Sequence, residues 1–145
     1  KGFDKEKFGL FHPGGKLGSN FLKVKNIMRT GKDLPLISDK SKLSEALIEI
    51  TKKCLGCIGV INESNNLIGI VTDGDIRRHI EEDMLSKLTY TIMTKNPITL
   101  DEESLAIEAL AIMNEKSITS LFVVDQNNNI SGIIHIHDCL KSGIS

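Results

Sequence analysis

Tryptophan is absent, tyrosine occurs once, and aromatic residues make up only 4% of the 145-residue chain. A core without large rings must be assembled from isoleucine, leucine, valine and alanine, in a sequence that is 40% hydrophobic. An excess of either charge is also missing: 18 Lys and Arg stand against 19 Asp and Glu, a net charge of -1. That removes the broad basic field with which a nucleic-acid binder neutralises phosphates. No apolar run approaches the roughly 20 residues needed to cross a bilayer, and no apolar signal segment opens the chain. Neither a nucleic acid nor a membrane is therefore expected as a partner. Three cysteines, an odd number without a secretion signal, read as reduced thiols in a cytoplasmic protein. An initiator methionine is missing too. The chain begins at Lys1 within a polar, glycine-containing stretch, as expected of a piece of something longer.

What is present is a duplication. Glu45 and Glu108, Leu47 and Leu110, Val60 and Val123, Asn65 and Asn128, Gly69 and Gly132, and Asp75 and Asp138 all match at one offset of 63 residues, without a gap. Upstream, Ile27-Met28 matches Ile92-Met93 at an offset of 65, so the first copy carries two extra residues, expected at Gly31 and Lys32. In the second copy Pro97–Leu100 reads as a short strand, and Ser104 offers an N-cap to an amphipathic run through Ile107, Leu110, Ala111 and Met113–Ile118. Two β-branched strands follow, Leu121–Val124 and Ile130–Ile134. The polar turn Asp125–Asn129 joins them, with asparagines that tolerate left-handed dihedrals. A last helix is expected from about Asp138. The first copy repeats this as a helix over Lys42–Cys54, strands Ile58–Ile61 and Leu67–Val71, and a helix from about Asp75. The fold class is thus α+β, two strand–helix–strand–strand–helix units. One such unit, at about 55–60 residues, buries too little apolar surface to stand alone. The two are expected to pack sheet to sheet, sharing a core and leaving a cleft along a pseudo-two-fold axis.

Ile27-Met28, Ile92-Met93 and the stretch Gly69-Ile-Val-Thr-Asp-Gly-Asp75 make the region from about Val24 to Ile144 resemble a tandem CBS domain pair, or Bateman module. On that resemblance the chain divides into a lead at 1–23, one repeat at 24–84 and another at 85–145. The Gly69–Asp75 stretch fits the family's ribose and phosphate motif. Its chemistry is legible in the residues themselves. Gly69 permits close approach to a strand, Thr72 brings a hydroxyl to a strand end beside a helix start, and the Asp75 carboxylate suits a sugar diol. Arg77 and Arg78 supply charge for a phosphate. The plainer alternative is that Asp75 only caps a helix. The second copy departs from the motif, reading Gly132-Ile-Ile-His135-Ile-His137-Asp138, with imidazole where Thr72 has a hydroxyl. His135, His137 and Asp138 stand as further nucleotide-contact candidates. They also raise a metal reading, against which no third ligand lies at a familiar spacing. Cys54-Leu-Gly-Cys57 resembles a redox or half-zinc motif, yet Cys54 falls at a helix C-terminus, where the dipole opposes a thiolate.

Residues 1–18 lie outside the repeat. Their ending, Phe11-His12-Pro-Gly-Gly-Lys-Leu-Gly18, with Thr72–Arg78 and His135–Asp138, is similar to the D-arabinose 5-phosphate isomerase family, in which a sugar-isomerase (SIS) domain precedes a CBS pair. The resemblance implies an attached SIS catalytic domain that interconverts D-arabinose 5-phosphate and D-ribulose 5-phosphate without a redox cofactor. It implies a catalytic part for His12 and no activity in this chain alone. It also implies a homo-oligomer, a dimer or dimer of dimers. The expected effector is a nucleotide such as AMP or ATP, or a nucleotide-sugar such as CMP-Kdo, because the isomerase feeds synthesis of the eight-carbon sugar Kdo. The alternatives are a structural dimerisation module without a ligand and a metal-responsive module through His135 and His137.

Overall fold

Cys57–Ile61 and Ser120–Val124 are nearly unbroken runs of small and apolar residues, and each becomes the central strand of a sheet covered on both faces. The computed structural model describes residues 21–79 and 83–144. In chain order the elements are α1 (Val24–Ile27), β1 (Leu36–Ser38), α2 (Leu43–Lys53), β2 (Cys57–Ile61), β3 (Leu67–Thr72), α3 (Asp73–Arg78), α4 (Thr89–Ile92), β4 (Thr94–Lys95), β5 (Thr99–Asp101), α5 (Ala106–Lys116), β6 (Ser120–Val124), β7 (Ile130–His135) and α6 (Ile136–Lys141). In the first sheet β2 lies parallel to β1 and antiparallel to β3, and β4 extends β3. In the second, β6 lies parallel to β5 and antiparallel to β7. The expected α+β architecture of two sheets with helices is the one observed.

Local structure keeps the offset. Asn65 and Asn128 turn the two hairpins at φ 64 and 65, and Cys54 and Ser117 end α2 and α5 in left-handed conformation at φ 61 and 57. Two expectations are corrected. Ser104 does not cap α5: Leu105 holds the N-cap position, and its N–H is taken by the Glu108 side chain at 2.8 Å, as that of Lys42 is by Glu45 at 2.9 Å. The Ser104 carbonyl instead accepts from Val24 N–H at 2.8 Å. The insertion also falls later than Gly31. Gly31, at φ 62, has its counterpart in Asn96, at φ 54, both left-handed, so the two extra residues lie within 32–35, beside the 3-10 turn Gly31–Asp33.

The lead-in segments are exchanged. Val24, fully buried, belongs to the core formed by Ala106, Ala109, Met113 and Leu121 of the second copy. Lys23 and Lys25 both reach Glu103 at 2.7 Å, and these two ammonium groups hold its carboxyl at about 2. Reciprocally, Met84 and Ile92 pack with Leu43, Ile50 and Val60 of the first copy, and the buried Thr89 bonds the Ser41 carbonyl through both its N–H (2.7 Å) and its hydroxyl (2.9 Å).

The sheets face each other across an apolar seam of Leu55, Cys57, Phe122 and Ile133, flanked by Leu36, Leu67 and Ile70. Gly59 and Phe122 are repeat counterparts and oppose one another there. A Cβ at Gly59 would stand 2.8 Å from Phe122 Cζ and 2.9 Å from Leu67 Cδ1. One copy supplies the bulk and the other the room. Phe122→Ala should therefore cost about 3–5 kcal/mol through a cavity, and Gly59→Val about 1–3 kcal/mol through overpacking. Urea unfolding read by circular dichroism checks both, and an unchanged midpoint in either would mean the seam does not hold the sheets together.

Candidate functional site

Where β3 gives way to α3, the backbone must leave the sheet and expose unpaired N–H groups, and Thr72 and Asp75 answer this reciprocally. The Asp75 N–H donates to Thr72 Oγ1 at 3.1 Å, while Asp75 Oδ2 accepts from Thr72 N–H at 2.9 Å and from its hydroxyl at 3.2 Å. The capping alternative is thus real. It is not the whole of Asp75, whose other oxygen accepts from Thr94 Oγ1 at 3.0 Å and from the Arg78 guanidinium. The carboxylate is 2% exposed, whereas the Arg78 side chain is 65% exposed.

Asp75 sits in the wall of a cleft of about 640 Å3, within the roughly 300–1,000 Å3 of small-molecule sites. One side is made by Thr72, Asp75, Arg77 and Arg78. The other comes from the second repeat, through the loop Asn96–Ile98 and the stretch Ser117–Leu121. The Ser120 hydroxyl is buried in this wall, with the Cys57 thiol as a weak partner. The cleft is therefore lined by two arginines, a buried carboxylate and the hydroxyl residues Thr72, Thr94, Ser117, Thr119 and Ser120. Such a lining can bind an anion, a diol and an apolar or aromatic ring together.

Gly69 does not join this wall. Its missing Cβ makes room for Met93, whose Cγ would lie 2.8 Å from it, and for the Thr94 carbonyl at 3.0 Å. Gly132 seats Met28 in the same way. The close approach expected of Gly69 is thus that of the chain's own lead-in segment.

The corresponding place in the second copy is differently furnished. Asp138 accepts from the His135 N–H at 2.9 Å, as Asp75 does from Thr72, but its further partner is Arg29. Arg29 Nε lies 3.2 and 3.1 Å from the two carboxylate oxygens, and Nη2 lies 3.0 Å from Oδ1. Burial works to raise the Asp138 carboxyl, but the Arg29 and His135 hydrogen bonds with their positive field outweigh it, and the group lies below the usual carboxylate range. His135 is pushed down by burial and by His137 and Arg29. The neutral ring accepts the His137 N–H at Nδ1 (3.1 Å), and the two imidazoles stack with centroids 4.9 Å apart. His135 lines a smaller cleft of about 460 Å3, with Cys54, Gly56 and Thr119. No group of three or more His, Cys, Asp or Glu residues able to hold a metal occurs among the described residues. His12 lies outside the described residues.

Sequence reasoning brought Thr72, Asp75, Arg77 and Arg78 together but missed Thr94, Arg29 and Ser120. The signal for the first two was the match of Met28 with Met93. Once each methionine fills the other repeat's motif glycine, the residue after it must fall beside the motif aspartate.

The model of the CBS domain family matches residues 24–82 and 89–144. The chain belongs to the CBS domain family, as a tandem pair. It is 47% identical over 145 residues to an uncharacterized protein of Rickettsia prowazekii, covering 100% of this chain and 45% of that protein. It is 41% identical over 144 residues to the arabinose 5-phosphate isomerase KdsD of Francisella tularensis, covering 97% of this chain and 44% of the relative. The chain spans less than half the length of these curated relatives. Among solved structures, the CBS domain of a bacterial CNNM/CorC family Mg2+ transporter in complex with ATP superposes with a TM-score of 0.76 at 19% identity, over 97% of this chain and 99% of that one. CBSX2 in complex with AMP gives 0.72 at 20% identity, over 83% and 95%.

The Cys54–Cys57 spacing carries no redox site in this CBS pair. Burial pushes the Cys57 thiol up to about 11 and the Cys139 thiol to about 11, while Cys54 is exposed at the end of α2. Ellman titration should count one fast thiol in the native protein and three after unfolding. Two fast native thiols would contradict the burial of Cys57 in the seam or of Cys139 in the core of the second copy.

Proposed function

We propose that this CBS pair is the effector-sensing part of a D-arabinose 5-phosphate isomerase, and that the cleft at Asp75 binds a nucleotide or nucleotide-sugar. The observation that carries the reading is that cleft. Its lining combines a buried carboxylate suited to a ribose diol, two arginines suited to phosphate and hydroxyls from the second repeat. Support comes from the solved CBS pairs with AMP, with ATP, and with 5'-methylthioadenosine and S-adenosyl-L-methionine, and from 41% identity along nearly the whole chain to KdsD. Arg78 pairs with Asp75. A ribose diol would replace it at the carboxylate, and the freed, largely exposed guanidinium would turn to the phosphate. A cytidylyl sugar such as CMP-Kdo is the ligand that feedback on Kdo synthesis calls for, and AMP and ATP are its competitors. In this reading the isomerase chemistry, and any part of His12 in it, belongs to an attached SIS domain, and the chain alone is inactive. The setting is cytoplasmic; no described helix is long and apolar enough to cross a membrane.

A second reading, a pairing module that joins copies of the chain, draws on the exposed Ile48, Leu85, Leu88 and Tyr90, on elements that adjoin one another around α2. A thermal-shift panel of AMP, ATP, CMP, CTP and CMP-Kdo separates the two. Ligand at 100 times its dissociation constant adds about 2.7 kcal/mol of stability, so one compound should raise the melting temperature. Asp75→Ala should abolish the shift, and Arg77→Glu should weaken it while leaving the free protein's midpoint near the wild-type value. No shift with any compound, with a dimer in light scattering, would favour the pairing module.

A further inference from the structure

The duplication has produced two buried carboxylates in equivalent positions, and they differ in the arginine that pairs with each. Asp75 is neutralised by Arg78 of its own short helix, a side chain that leaves for solvent without disturbing the backbone. Asp138 is held by Arg29, which belongs to the lead-in segment and is itself fixed. The Arg29 N–H donates to the Ile133 carbonyl at 2.8 Å, and its carbonyl accepts from the Ile133 N–H at 3.0 Å. Its side chain is 34% exposed, about half the exposure of Arg78. A planar guanidinium placed on a carboxylate by a hydrogen-bonded backbone is a far more committed partner than one on a free rotor.

The other repeat counterparts diverge in the same direction. Ser117 and Thr119 of the first cleft's wall correspond to Cys54 and Gly56 in the wall of the second. Thr72 corresponds to His135, and the two cations Arg77 and Arg78 correspond to Leu140 and Lys141. At each of these places the second cleft has lost a hydroxyl or a guanidinium. Arg29, the counterpart of Thr94, has in turn brought a cation onto the carboxylate from within the chain.

We infer that Arg29 and Asp138 form an internal tether rather than half of a second binding site, so that this pair takes one nucleotide per chain and uses its second motif to hold the lead-in segment. The stoichiometric half rests on the nucleotide reading above; the tether does not. Isothermal titration of the whole chain with AMP, ATP and CMP, together with thermal melts of Arg29→Thr, Asp138→Asn and the double variant, tests both halves. The expected result is one site per chain for whichever probe binds, with a dissociation constant within about twofold of wild type in Arg29→Thr. Each single variant should melt several degrees lower, and the double should lose less than the sum of the two, as for groups that act on one another. Two sites per wild-type chain would overturn the single-site assignment, and a tenfold loss of affinity in Arg29→Thr at unchanged stoichiometry would overturn the placement of that site at Asp75. Additive losses, or melting unchanged by Arg29→Thr, would overturn the tether. If no probe binds the wild type, the nucleotide reading fails, and the melting series alone decides the tether.

Discussion

Everything in this molecule depends on two small sheets having to cover each other. Neither copy has a face to spare: β2 and β6 are buried on both sides, one side against their own helices and the other across the seam. The seam is narrow because Phe122 lies where Gly59 leaves room, a pairing only two diverged copies can make. Identical glycines would leave a hole there, and identical phenylalanines would clash. Grooves then remain to either side of the seam, where each β-strand turns into its short helix. The cleft at Asp75 is one of them.

The exchanged lead-in segments follow from the same shortage of apolar surface. Val24 and Ile92 each complete the core of the other copy. Each segment passes its partner's motif glycine and delivers a methionine to it, and then the next residue to the aspartate. The site is therefore composite. Removing one repeat would take away a share of both clefts.

The features legible in the sequence were those governed by local rules or by the offset. Asn65 and Asn128 turn as their side chains permit, and helix and strand positions follow the spacing of apolar residues. The cleft's position was legible because Thr72 and Asp75 meet through a local cap. Long-range placement was harder. Ser104 is the better capping residue by type, but its carbonyl is committed to Val24, some 80 residues away, and the helix starts one residue later. Arg29 escaped notice because the match of Met28 with Met93 points to Asp138 only once each methionine is seen to fill the other repeat's motif glycine. The true position of the insertion showed only when Gly31 and Asn96 shared a left-handed backbone.

The two copies differ at equivalent places: hydroxyls and exposed arginines flank Asp75, whereas Arg29 clamps Asp138. A crystal structure of the whole chain grown with the nucleotide that most raises its melting temperature tests this account most directly. The account predicts ligand in the groove between Thr72–Arg78 and Ser117–Ser120, with the ribose on Asp75, Arg78 turned away from the carboxylate, and Arg29 still on Asp138. Ligand seated on Asp138 with Arg29 displaced, or bound away from both carboxylates, would contradict it.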